Sequence, residues 1–456
     1  MAEKPSSEVP EPPATPGGSE MSAALAELPG DVRTLRVLYP DLHGVARGKD
    51  VPIGEFERAL KGLTFCWAVM GTDLQHTPVV GGESGYPDMV ATPDLSTLKQ
   101  LPYETDVATS IADLTRHGKP EPTDVRGLVR RAEADLEALG FTAKVGPELE
   151  FFLCQQDESG AWSRCIDNLS MVYTVGPQAD PGGVLKGMLD ACAQLEIGAI
   201  AANHEFMNYQ YEINLSECAP LRAADNAFRF KSTVKDFAAI RGVHATFMGK
   251  PFNDQGGSGM HLHLSLERDG SNCFDDPEAD DGLASELRHF TAGVLEHSRA
   301  LMALLNPTVN AYRRILPDSL APTHCNWGLD NRTTLIRIPP ERGGGSRIEI
   351  RVGDGAANCH LVIAAVIFAG LDGLRRELEP PAPLTGDAYT MDPSQQGEPL
   401  PQRFGDALDA LEADEVLCGA LGSELVETFL AIKRFELERF MAYTTDWELT
   451  EYMHHL

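Results

Sequence analysis

Gly146-Pro147-Glu148-Leu149-Glu150-Phe151-Phe152 sets two carboxylates, at a spacing of two, into an apolar run. As a strand, the stretch points Glu148 and Glu150 to one face. Two like charges beside Val145, Leu149, Phe151 and Phe152 repel each other and resist burial unless something positive lies between or above them. One or two divalent cations would meet that need. A half-exposed edge strand with a solvated acidic face would avoid it. The stretch alone does not choose between these, so the flanking sequence must.

Upstream, Thr123 or Asp124 can cap a helix with Leu128, Val129, Ala132, Leu136 and Leu139 on one face, ended by Gly140. Downstream, Asn203-His204-Glu205 and Gln210-Tyr211-Glu212-Ile213-Asn214-Leu215 put Glu205 and Glu212 on adjacent strand ends. Gly256-Gly257-Ser258-Gly259 opens into Met260-His261-Leu262-His263-Leu264-Ser265-Leu266, where alternation puts His261, His263 and Ser265 on one face. A lone histidine there would read as a satisfied core residue; two with a third polar residue do not. Between 313 and 351 lie Arg313, Arg314, Arg332, Arg337, Arg342, Arg347 and Arg351, with Arg347, Glu349 and Arg351 sharing a strand face. In so acidic a chain, this concentration of guanidinium points to an anionic ligand such as a polyphosphate or carboxylate.

Residues 1–22, with Pro5, Pro10, Pro12, Pro13 and Pro16, carry too little apolar content to repay ordering and are expected to be a disordered tail. From Val32, the pattern reads strand, turn at Asp41-Leu42-His43-Gly44, strand, and opens a small β-rich domain. Further strands are expected at 65–70 and 107–114, a helical turn at 55–60, and a loop around Gly81-Gly82 and Gly85. Lys119-Pro120-Glu121-Pro122 marks a boundary, and helices are expected at 288–305, 361–377, 404–411 and 423–444. The division is a tail over 1–22, a small domain over 32–118 and a large one over 123–456.

Composition narrows the function. The 456 residues fit two domains; no run of about 20 apolar residues spans a membrane and no secretory pattern opens the chain, so a cytoplasmic protein is expected. Nine scattered cysteines without a Cys-x-x-Cys argue against a disulfide frame or a zinc ribbon. A net charge of −30 excludes a nucleic-acid partner and is compatible with a cationic substrate. Five glutamates (Glu148, Glu150, Glu205, Glu212, Glu349) with few imidazoles favour Mg²⁺ or Mn²⁺ over zinc. Beside the arginines, two such ions suit phosphoryl transfer, without a Walker A or kinase glycine loop.

These residues resemble the glutamine synthetase family from about Val32 to the C-terminus. The resemblance rests on Asp41-Leu42-His43-Gly44 with Arg47-Gly48-Lys49, Gly146 to Phe151, the Glu205 and Glu212 pair, Phe247-Met248-Gly249-Lys250-Pro251, and Gly257-Ser258-Gly259-Met260-His261. It continues through Asn306-Pro307, Asn331-Arg332, Ile336-Arg337-Ile338-Pro339 and Arg347-Ile348-Glu349-Ile350-Arg351. It implies an α+β fold: a small N-terminal β-grasp domain and a large C-terminal α/β catalytic domain, assembled as stacked rings, commonly homododecamers. It also implies Glu150, Glu205 and Glu212 on the metal near glutamate, and Glu148, His261 and Glu349 on the metal bridging the ATP phosphates. Gly257, Arg314 and Arg351 would hold glutamate, Arg332, Arg337 and Arg347 the phosphates, and His263 and Ser265 the nucleotide.

Departures from the family's pattern bear on substrate. Ammonia-using members carry a glutamate before an Ala-Pro pair on a flap; here Leu320 precedes Ala321-Pro322. Leucine neither binds ammonium nor accepts a proton. Met70 stands where the second acid of that pocket belongs, with Asp73 close by, and Gly256 replaces a common asparagine. The expected activity is therefore ATP-dependent ligation of glutamate to a small amine larger than ammonia, such as ethanolamine, a short monoamine or a polyamine. Leu320 and Met70 would pack against the amine, and Asp73 or Asp318 would pair with it or act as base. An ammonia-using glutamine synthetase is the first rival. A ring-forming regulatory or structural homologue is the second, and the intact metal and phosphate positions argue against it.

Overall fold

The computed structural model describes residues 23–456 except 25, 27, 166–170 and 318. The tail expected over 1–22, and Asp318, lie outside the described residues.

The first sheet begins with Thr34–Pro40, whose alternate residues Leu35, Val37 and Tyr39 are buried. This strand pairs antiparallel with Ala46–Pro52 and parallel with Glu104–Arg116. Asp41 makes the hairpin turn: its Oδ1 accepts from the N–H groups of His43 and Val45, each at 2.9 Å, and its Oδ2 from Arg47 Nε at 2.8 Å. Asp88–Pro93 and Leu63–Cys66 complete a mixed sheet in the order 46–52, 34–40, 104–116, 88–93, 63–66. The strand expected over 65–70 stops at Cys66, and Trp67–Gly71 coils into a 3₁₀ turn. Trp67 and Met70 both enter the core, and a spacing of three meets one face only on a helical turn. Lys119-Pro120 still pairs with Thr115-Arg116 before the chain leaves the sheet.

The second sheet carries the acidic stretch at its centre. Its spine runs 199–204, 210–215, 142–156, 259–268, 348–354, 336–338, 327–329. Phe151, facing away from Glu148 and Glu150, meets Phe230 of the helix Pro220–Ile240 with ring centroids 6.3 Å apart. Helices thus cover the apolar face of Thr142–Gln156 and leave the acidic face open. Asp124 caps the helix Val125–Ala138 through Arg126 N–H, and Gly140 ends it in the left-handed region at φ 78°.

One buried guanidinium joins the two parts. Arg126, 1% exposed, donates to Asp113 of the first sheet and to Asp94, just after the strand Asp88–Pro93, at 2.7 Å each, and to Asp225 of the helix Pro220–Ile240 at 2.8 Å. His360, at the start of Cys359–Arg376, meets the other oxygen of Asp225 at 2.9 Å. Against Cys359–Arg376, the helix Ser285–Glu296 packs through Gly293 and Gly373; a Cβ on Gly373 would lie 2.1 Å from the His289 carbonyl.

The helix expected over 288–305 is broken at His297 into Ser285–Glu296 and Ser298–Leu305. The imidazole is buried between Asp414, 2.6 Å from Nδ1, and Asp372, 3.1 Å from Nε2. Burial opposes its protonation, but hydrogen bonds to Asp372 and Asp414 outweigh it and raise the pKa from 6.5 to about 9. A raised histidine pKa contributes stability that is complete below 6.5 and is lost as pH climbs through about 9. The unfolding free energy of the native chain minus that of His297→Gln should therefore be on the order of 3 kcal/mol at pH 6 and vanish above pH 9, by urea titration. A difference unchanged from pH 6 to 10 would contradict this ion-paired role.

Candidate active site

Sheet register aligns the chemistry into lateral rows. Glu150 lies opposite Glu212 on one neighbouring strand. Glu148 lies between Asn214 on that strand and His261 on the other. His263 lies opposite Glu349, and Glu349 opposite Arg337. Acids, imidazoles and guanidinium groups far apart in sequence therefore share one sheet face.

Two ligand clusters form on that face. Glu148, His263 and Glu349 offer atoms within 4.8 Å of one another, and so do Glu148, Glu212 and His261. Glu148 belongs to both: its Oε2 meets His261 Nδ1 at 3.2 Å and its Oε1 meets His263 Nε2 at 3.0 Å. Arg347 Nε, which can only donate, meets His263 Nδ1 at 3.2 Å. His263 Nδ1 is thus the acceptor, and Nε2 carries the proton given to Glu148. Burial would raise the Glu148 pKa, but the hydrogen bonds from His261 and His263 hold it well below the usual carboxylate range.

Glu212 shows the opposite behaviour. Burial, then the charges of Glu148, Glu150 and Glu205, push its carboxyl up to about 8. Burial and Glu150 raise Glu205 as well. Such crowding is costly without a cation and stabilising around one, so the oxygen-rich donor set fits divalent ions. Glu150 and Glu205 join neither cluster; Glu150 accepts from Gly259 N–H at 2.9 Å and Gln210 Nε2 at 3.0 Å, and Glu205 from Asn203 Nδ2 at 2.7 Å.

The sequence reading missed that amide pattern. Asn203, Gln210 and Asn214 each orient a carboxylate, Asn214 Nδ2 donating to Glu212 at 3.0 Å. Their signal was present in Asn203-x-Glu205 and Gln210-x-Glu212-x-Asn214: period-two alternation puts each amide on the face of its acid.

The arginines flank these clusters. Glu349, 1% exposed, accepts from Arg337 at 2.6 Å and from Arg351. Burial raises its pKa, and His261 followed by Arg351 outweighs burial, leaving it at about 2. Arg314 runs beneath Gly257, where a Cβ would fall 2.4 Å from Arg314 Cγ, so only glycine fits. Its terminal nitrogen donates to the Val352 and Gly353 carbonyls at 2.8 and 2.6 Å. Arg332 is exposed and has no ion-pair partner among the described residues. A cleft of about 260 Å³ is lined by Glu148, His263, Ser265, Arg347 and the loop Gly344–Ser346.

Residues 122–452 match the glutamine synthetase catalytic domain family. The chain belongs to the glutamine synthetase family. It is 38% identical over 433 residues to the glutamine synthetase of Thermotoga maritima, covering 93% of this chain and 97% of that protein. Against the glutamine synthetase of Pyrococcus horikoshii the identity is 34% over 438 residues, 92% of this chain and 96% of that one. Among solved structures, a GmaS/ADP complex superposes with a TM-score of 0.85 at 32% identity, covering 95% of this chain and 99% of the other. A novel glutamine synthase homolog gives 0.79 at 28%, covering 92% and 97%. The chain is thus an ATP-dependent carbon–nitrogen ligase of a family that uses ATP, divalent metals, glutamate and an amine. No helix among the described residues is long and apolar enough to cross a membrane.

Three of the four positions expected to meet the amine lie among the described residues of this glutamine synthetase family member, and they have distinct fates. Asp73 is 1% exposed and fully engaged: Oδ1 accepts from Gln75 and Thr77 N–H at 2.9 and 2.8 Å, and Oδ2 from Arg439. His43 braces the same turn by donating from Nε2 to the Thr72 carbonyl at 2.9 Å. Asp73, expected as base or amine anchor, is held here as a turn and helix tether. Met70, expected to meet the amine, is also 1% exposed and packs in the core. Leu320 alone is displayed, 46% exposed and held at φ 56°, a left-handed conformation that costs a branched residue of order 1–3 kcal/mol.

The crowding at Glu212 has a measurable consequence. Glu212→Gln should raise the Tm of chelator-treated protein, by removing a repelled carboxylate, while cutting most of the Tm increase that a divalent ion gives the native chain. An equal ion-induced increase in both proteins would show that Glu212 holds no cation.

Proposed function

We propose that this ligase joins the γ-carboxylate of glutamate to a primary amine larger than ammonia, through γ-glutamyl phosphate. Leu320 carries the reading. An exposed apolar side chain, held in strained backbone where ammonia-using relatives place an acid, can pack on an amine's carbon skeleton and offers ammonium nothing. The superposition on a GmaS/ADP complex supports a nucleotide-using ligase of this fold.

In this reading, Ser265 and His263 contact the nucleotide, and Arg332, Arg337 and Arg347 the phosphates. Gly257, Arg314 and Arg351 hold glutamate, while Gly256 leaves space that Met207 approaches; a Cβ there would lie 3.3 Å from it. Glu148, His261 and Glu349, and Glu150, Glu205 and Glu212, are the residues that would hold Mg²⁺ or Mn²⁺. When bound, these ions supply neutralisation of phosphate charge. A γ-carboxylate oxygen attacks the γ-phosphorus, the bond to ADP breaks, and an acyl phosphate forms. The neutral amine attacks the acyl carbon, phosphate leaves with that oxygen, and a proton departs from nitrogen. Stacked rings forming a homododecamer, a cytoplasmic setting and a division between 32–118 and 123–456 belong to the same proposal.

The rival, ammonia-using synthetase, draws on the names of the relatives at 38% and 34% identity. Phosphate release from ATP with glutamate, compared across ammonium, short monoamines, ethanolamine and polyamines, separates the two. Turnover with an amine class at least tenfold above ammonium is expected, and Leu320→Glu should lower that ratio at least tenfold, about 1.4 kcal/mol. Fastest turnover with ammonium in the native chain would overturn the proposal.

A further inference from the structure

A second charged cleft, of about 320 Å³, opens where the first sheet meets the helix Pro220–Ile240, and none of its residues belongs to the catalytic face. Arg222, Asn226 and Arg229 line it from the helix at spacings of four and three, which places them on one face. Ser96 and Thr97, in the 3₁₀ turn Leu95–Thr97, and Lys99 of the strand that follows line it from the other side.

Its charges are unevenly paired. Asp94 is engaged by Ser96 N–H at 3.0 Å on Oδ1 and by Arg126 at 2.7 Å on Oδ2. Asp225 is engaged by Arg126 and His360, and Glu196 by Lys99 at 2.5 Å. All three acids of the cleft are thus committed. Arg222 and Arg229 have no carboxylate partner among the described residues; Arg229 donates only to the Thr97 carbonyl. Burial lowers the Arg229 pKa to about 10, against the opposing pull of the Asp225 charge.

The geometry points to a binding site for a small oxyanion, a phosphate monoester or a dicarboxylate, held by the Arg222 and Arg229 guanidinium groups with the Asn226 amide. Guanidinium forks match both anions bidentately, and the volume suits a molecule of metabolite size. An occupant would supply the acid that Arg229 lacks.

The test is calorimetric titration of the full chain, at low ionic strength, with inorganic phosphate in one arm and succinate in the other. Anions also enter the catalytic cleft, so each arm is repeated on Arg347→Gln, which weakens binding there. A binding event that survives in R347Q and weakens tenfold or more in Arg222→Glu is expected in at least one arm; the responding arm identifies the anion class. Arg222 is exposed and unpaired, so its replacement leaves folding untouched, and Arg229→Gln should give the same loss. No event surviving in R347Q, or a surviving event weakened less than tenfold by R222E, would overturn the proposal.

Discussion

Mutual repulsion among carboxylates that share one face of a continuous sheet is the constraint on which this molecule depends. Glu148, Glu150, Glu205 and Glu212 come together because strand register leaves them nowhere else to point, and burial forbids water from screening them fully. The protein answers in two ways. On one flank, Arg337 and Arg351 supply positive charge and His261 and His263 supply hydrogen bonds, so that the Glu148 and Glu349 pKa values are held down. On the other, amides orient Glu205 and Glu212 while burial and neighbouring acids leave both repelled and disposed to take up cations. Divalent ions, and the polyphosphate they accompany, complete what the sheet leaves unbalanced.

Much of this was legible in the residues. The period-two acids at 148 and 150, the histidines at 261 and 263 and the arginines near Glu349 lie on one face because alternation in a strand is rigid geometry. Helices with caps and stripes, such as Val125–Ala138, were equally readable. Illegible parts depended on tertiary partners. His297 breaks an otherwise helical apolar pattern to sit between Asp372 and Asp414, which lie 75 and 117 residues away. Trp67 and Met70 leave the strand pattern to reach a core assembled from later chain. Asp73 looked like a candidate base from proximity in sequence; only the position of Arg439 reveals it as a tether.

The substrate question reduces to the flap. Catalytic equipment for phosphorylating a carboxylate says nothing about the nucleophile that follows, because the same acyl phosphate accepts any unprotonated amine that can reach it. Selectivity must come from what surrounds that amine. With Asp73 and Met70 buried, Leu320 is the described side chain at those expected positions that remains available, and its strained backbone keeps it displayed. Family membership defines the reaction type; in the proposed reading, an apolar flap residue selects the nucleophile.

The most direct measurement of that conclusion is a competition. Glutamate labelled with ¹⁸O in its γ-carboxylate is supplied with ATP, a divalent ion, and equal concentrations of ammonium and a short primary amine, and the products are weighed by mass spectrometry. A γ-glutamylamide in excess over glutamine, with one ¹⁸O transferred to the released phosphate, is the expected result. Glutamine as the main product would contradict selection of the larger amine, and unlabelled phosphate would contradict the acyl-phosphate route itself.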